Sequence, residues 1–112
     1  MKKIEAYIQP FMLQHVLHAL REAHVHGLTV SDVRGFGREK DESYPHGPAD
    51  YAVDFTPKTK LEILCKDADA HALVETLRTA AHTGRRGDGK VSMLDVGMVV
   101  SIRSGDTGDA AI

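Results

Sequence analysis

The residues best suited to chemistry in this chain are Thr83-Gly84-Arg85-Arg86-Gly87-Asp88-Gly89-Lys90, a glycine-rich cationic loop. Three glycines let the main chain approach an anion closely enough for backbone N–H groups to point at it, while Arg85, Arg86 and Lys90 supply charge. That is the chemistry of phosphate binding. From Gly84 to Lys90 the spacing is Gly-x-x-x-x-Gly-Lys, yet Val91 stands where a P-loop needs the Ser or Thr hydroxyl that ligates magnesium. The loop can hold a phosphate but lacks the part that organises hydrolysis. Together with the lack of an obvious Asp or Glu positioned as a general base, this argues against an enzyme.

Other chemistry-bearing residues are more ordinary. His15 and His18 are three apart, and His24 and His26 follow, but no Cys or carboxylate completes a recognisable metal-ligand spacing, so no metal site is expected. Cys65, the sole cysteine, lies in an apolar-alternating segment and reads as a small buried hydrophobe. Asp41 and Glu42 read as solvated charges on an irregular loop.

The elements that position these residues follow from periodicity. Lys3 to Gln9 alternates, with Ile4, Ala6 and Ile8 on one face, as a half-buried strand does. Met12, Val16, Ala19, Leu20 and Ala23 then recur at helical spacing, and Gly27 closes the segment. Residues 28–36 read as a second strand, and residues 58–66 as a third with Leu61, Ile63 and Cys65 inward. Between them residues 38–57 carry three of the four prolines and no sustained period, a connection long enough to be functional. A second helix capped by Asp67 or Asp69 presents Leu73, Leu77, Ala80 and Ala81 and ends at Gly84. A last strand over residues 91–102 places Leu94, Val96, Met98, Val100 and Ile102 on one face. The order is β-α-β, long loop, β-α-β, an α+β ferredoxin-like βαββαβ sandwich. A P-loop lies between a strand and the helix after it, whereas here a helix ends and a strand begins, so the Walker-like match does not mark a P-loop NTPase.

Composition bounds the rest. With 112 residues the chain makes one domain, and small folds of this kind leave surface for a partner subunit. The net charge of -2, spread over both signs, gives no global basic field for nucleic acid, so any anion site is local. The lone cysteine, the lack of an apolar run of about eighteen residues and the polar start argue for a soluble cytoplasmic protein without membrane insertion.

The chain resembles the PII signal-transduction proteins over essentially its whole length. The residues that carry the resemblance are Met1 to Ala6, Thr29-Val30-x-x-Val33-x-Gly35-Phe36-Gly37-Arg38, Asp50-Tyr51-x-Val53-Asp54-Phe55-x-Pro57-Lys58, Thr83-Gly84-x-x-Gly87-Asp88-Gly89-Lys90 and Asp109-Ala110-Ala111-Ile112. The resemblance implies a single PII-like domain over residues 1–112 that forms a homotrimer with an adenine nucleotide in each intersubunit cleft. It implies a T-loop at about 37–57 that contacts a target protein, a B-loop at 82–90 and a C-terminal loop at 101–112. The implied nucleotide-binding residues are Thr29, Gly35, Gly37, Arg38, Glu62, Leu64, Thr83, Gly87, Asp88, Gly89 and Lys90, with Arg103 from the neighbouring subunit. Thr29, Glu62 and Leu64 would line the adenine pocket. Tyr51 falls where some members are uridylylated.

Two departures qualify what the resemblance implies. Glu39 stands where nitrogen-sensing members have Gln to help hold magnesium and 2-oxoglutarate, and a carboxylate there repels a dicarboxylate. Ser101 stands where a second arginine would reach the terminal phosphates, and losing such a charge-assisted contact costs roughly 1.5–3 kcal/mol. Lys58, which meets the 2-oxoglutarate carboxylate in nitrogen-sensing members, is kept. The expectation is a divergent PII-like regulator that binds ADP or AMP in preference to ATP and controls a partner protein through its T-loop, with bicarbonate or Mg2+ as further ligand candidates around Glu39 and Lys58. The alternatives are a nitrogen regulator sensing ATP, ADP and 2-oxoglutarate, and a regulator linked to metal efflux. The C-terminal residues from Ser104 are expected to order only when nucleotide closes the cleft.

Overall fold

The fold is described from a computed structural model, which defines residues 1–37 and 55–112. Strand β1 (Lys2–Ile8) is followed by a 3-10 turn (Pro10–Met12), helix α1 (Leu13–Glu22), strands β2 (Thr29–Gly35) and β3 (Thr56–Cys65), helix α2 (Asp67–Ala81) and strand β4 (Gly89–Asp95). The strands form a four-stranded sheet in the order β2-β3-β1-β4, all neighbours antiparallel. This is the ferredoxin-like arrangement, with residues 38–54 of the expected long loop outside the described residues.

Period-two alternation decides which side of the sheet the helices cover. Ile4, Ala6 and Ile8 of β1 and Leu61, Ile63 and Cys65 of β3 are buried against Val16 and Leu20 of α1 and Ala70, Leu73, Leu77, Ala80 and Ala81 of α2. The opposite face carries Lys3, Glu5, Lys60 and Glu62, whose register places them side by side on β1 and β3. Lys3 pairs with Glu62 at 2.7 Å and Glu5 at 3.4 Å. The hydrogen bond from Lys3 holds the Glu62 carboxyl below the usual carboxylate range.

Three boundaries differ from the sequence reading. The first helix does not run to Gly27: it ends at Glu22, and His24 adopts the left-handed conformation (φ 64°) usually taken by glycine. The N–H groups of His24 and Val25 donate to the carbonyls of Arg21 and Leu20, so a Schellman cap stops the helix and drops Val25 onto the core. Lys66, not Asp67 or Asp69, is the N-cap of α2, and both acids instead lie in the first turn, where they suit the helix dipole.

The last strand is shorter than expected. Its partner β1 begins at Lys2, which pairs with Asp95, so beyond Val96 no strand remains for it to join. Leu94 lies on the face away from the helices, in register with Lys3, and Met98, Val100 and Ile102 are exposed instead of sharing a buried face. Residues 99–108 form a hairpin of their own, closed by Ser101 N–H to the Asp106 carbonyl and Gly108 N–H to the Val99 carbonyl. The tail from Ser104 thus folds through its own backbone bonds, followed by a 3-10 turn (Gly108–Ala111).

Candidate functional site

Two regions assemble most of the residues singled out above. The first follows from unequal strand lengths. Register pairs Thr29 with Glu62, so β3 continues through Ile63, Leu64 and Cys65 with no β2 beside it. The connection from His24 to Leu28, the side of α2 and the chain end at Ala111 and Ile112 wall in the gap, leaving a groove of about 740 Å³. Thr29, Glu62 and Leu64 line it together, with Lys3 beside the Glu62 carboxylate. Cys65 forms part of the wall, and burial pushes its thiol up, so the buried-hydrophobe reading holds.

The second region is the glycine loop. Asp88 organises its first half: its carboxylate accepts the Thr83 N–H at 2.8 Å, the Gly84 N–H at 2.9 Å and the Thr83 hydroxyl. Burial works to raise the Asp88 carboxyl, but these three donors outweigh it and hold it below its usual value. Thr83 and Asp88, both expected at the nucleotide, therefore face one another and give the loop its shape.

A consequence for stability carries a definite sign. A depressed carboxyl contributes stability above its unfolded value and loses it as pH falls through the folded one. Asp88→Asn is therefore expected to cost about 1–2 kcal/mol at pH 7 and distinctly less at pH 3, below the ordinary aspartate value of about 3.9, where the unfolded chain is already largely protonated. Denaturant melts of both proteins at the two pH values measure this, and an equal penalty at each would rule out the carboxylate.

The second half of the loop is anchored from below. The Gly87 carbonyl accepts the Lys58 ammonium at 2.5 Å and the buried Gln9 amide at 2.9 Å. Gly89 then enters β4 with φ 107° opposite Ile8, and Lys90 pairs with Tyr7. Lys58, expected at the second effector, is thus brought to the glycine loop. Gln9, assigned by alternation to the open strand face, is buried at the end of β1, and only the loop folding back over that end reveals it.

Within one chain the two regions stay apart. Lys90, Tyr7 and Lys60 form one row of the sheet's open face, and Ser92, Glu5, Glu62 and Thr29 form the next. Lys90 lies on edge strand β4 and Glu62 two strands away, roughly 12 Å by ordinary strand spacings. Gly35 ends β2, where its carbonyl accepts the Thr56 hydroxyl, and Gly37 lies just beyond. Arg103 is exposed in the turn of the C-terminal hairpin. Arg38, Glu39 and Tyr51 lie outside the described residues, as do Asp41 and Glu42. Among the described residues no group of three or more His, Cys, Asp or Glu side chains could hold a metal ion, and no helix is long and apolar enough to cross a membrane.

Comparison with known proteins agrees with this arrangement across the chain. The sequence profile of the family described as "Nitrogen regulatory protein P-II" matches residues 1–106. Relatives named nitrogen regulatory protein P-II from Rhizobium meliloti and Azospirillum brasilense are 48% and 46% identical over 112 residues, covering all of both chains. The nitrogen regulatory protein P-II 1 of Escherichia coli K12 is 46% identical over the same full length. Such identity along the entire chain, on a ferredoxin-like sheet with the glycine loop between α2 and β4, has one reading: the chain belongs to the PII family of signal-transduction proteins, regulators and not enzymes.

Proposed function

We propose that this regulator senses adenine nucleotides in clefts completed between copies of the chain, and acts on a target protein through residues 37–57. One observation carries the reading. The groove of Thr29, Glu62 and Leu64 and the cationic loop ending at Lys90 lie toward opposite edges of the sheet, β2 and β4, so a ligand with a base at one end and phosphates at the other spans them when two copies meet edge to edge. The homotrimer, the role of Arg103 from a neighbouring copy and modification at Tyr51 belong to the same proposal.

The nucleotides are ADP, AMP and ATP, with preference for the shorter ones because Ser101 supplies no charge to the terminal phosphate. Glu39 weakens any 2-oxoglutarate response, while Lys58, bonded to the Gly87 carbonyl, is the cation that a small anion such as bicarbonate would meet. The shared name of the full-length relatives supports nitrogen regulation as the pathway over bicarbonate handling or metal efflux.

Calorimetry tests this. ADP, AMP and ATP are expected to bind, 2-oxoglutarate is expected to add little to magnesium-ATP binding, and Glu39→Gln is expected to increase that enhancement. Strong enhancement by 2-oxoglutarate in the unaltered protein would restore full nitrogen-sensor behaviour. If no adenylate raises the melting temperature at millimolar concentration, the chain is a scaffold that senses no nucleotide.

A further inference from the structure

We infer that Gln9 is a positioning residue for the phosphate-facing half of the glycine loop. The inference deepens the nucleotide reading above and rests on it for its ligand. Gln9 is 1% exposed at the junction of β1 and the 3-10 turn, where its own carbonyl accepts the Met12 N–H. Its backbone is fixed by the strand on one side and Pro10 on the other, so its amide is a stationary donor. That donor meets the Gly87 carbonyl at 2.9 Å.

A trans peptide is planar, with its C=O and N–H pointing in opposite directions. Holding the Gly87 carbonyl inward therefore aims the Asp88 N–H outward, on the side away from Gln9 and Lys58. Gly87 reaches this orientation at φ 97°, a conformation that a residue without a Cβ adopts readily but does not hold unaided. Lys58 donates to the same oxygen, but from a flexible four-carbon stem whose charge an anion can attract away. Gln9 is then the permanent anchor and Lys58 the exchangeable one. An anion that draws Lys58 off the carbonyl leaves the peptide plane in place, because Gln9 still holds it.

The test uses Gln9→Met, which keeps the buried volume and removes the donor, and Gln9→Glu, which puts an acceptor oxygen against the carbonyl. Calorimetry with ADP and with adenosine, and 15N relaxation of the loop amides, are read on each protein. ADP affinity is expected to fall about fivefold in Gln9→Met, the scale of one hydrogen bond, and further in Gln9→Glu, while adenosine affinity stays within about twofold. The Asp88 amide order parameter is expected to drop from the rigid range of about 0.85 toward about 0.6, with Val91 to Met93 unchanged. Equal losses for ADP and adenosine would reduce Gln9 to a packing role and overturn the inference. If the unaltered protein binds no ADP, the nucleotide reading fails, and the relaxation data alone decide the positioning role: an Asp88 amide as rigid in both variants as in the parent overturns it.

Discussion

Alanine at position 89 is expected to destabilise the protein by about 3 kcal/mol or more, to the point of preventing folding at ordinary temperature. Gly89 opens β4 at φ 107°, and a Cβ built there would lie 1.7 Å from the Tyr7 carbonyl oxygen and 2.8 Å from the Tyr7 carbonyl carbon. Both obstacles are backbone atoms of a central strand, so neither can swing aside as a side-chain tip would. Relief requires β4 to lift from β1 at the point where the glycine loop is attached. Gly27→Ala is the matched control, because no atom lies within 4 Å of its Cβ position. Thermal and denaturant melts should separate the two variants clearly, and a Gly89→Ala protein within about 1 kcal/mol of the parent would contradict the β1–β4 register. Since Lys90 follows directly, the same close approach fixes the base of the cation proposed to meet phosphate.

Lys90→Ala is expected to weaken ADP and ATP binding by about 1.5–3 kcal/mol, or roughly ten- to a hundredfold, with little change in melting temperature. The side chain is exposed on an edge strand, so its removal leaves no cavity. Adenosine affinity should be unaffected, and the penalty should shrink with added salt because the lost interaction is between exposed charges. Calorimetry at low and high ionic strength checks both points. A loss that is equal for adenosine and ADP would place Lys90 outside the phosphate site. Gln9→Met and Lys90→Ala thus probe the loop differently, one through the direction of a peptide plane and the other through a charge.

Element type was legible wherever the apolar period was regular. Ile4, Ala6 and Ile8, then Leu61, Ile63 and Cys65, then Leu73, Leu77, Ala80 and Ala81 all lie buried as their spacing requires. Periodicity failed where a partner was missing: residues 96–102 keep an apolar stripe, but β1 begins at Lys2 and offers them no edge. It failed again at the end of α1, because glycine is the usual left-handed cap and His24 took the role four residues after Leu20. The site was legible in part. Glycines and basic residues singled out the loop of residues 83–90, and the resemblance singled out Thr29, Glu62 and Leu64, which the structure gathers in one groove. Gln9 had no such signal, since a polar residue next to a proline at a strand end is ordinarily exposed.

Residue types along the chain were thus sufficient by themselves for the order of strands and helices, the apolar faces of β1, β3 and α2 and the glycine-rich, cationic make-up of residues 83–90, because each depends on neighbours close in sequence. Only the tertiary structure decided how these parts meet. Joining Gly87 to Gln9 and Lys58, seating Gly89 against Tyr7 and opening a groove beyond the end of β2 depend on strand register and relative strand length. Those quantities are set by contacts between residues some thirty to eighty positions apart, which no local period records.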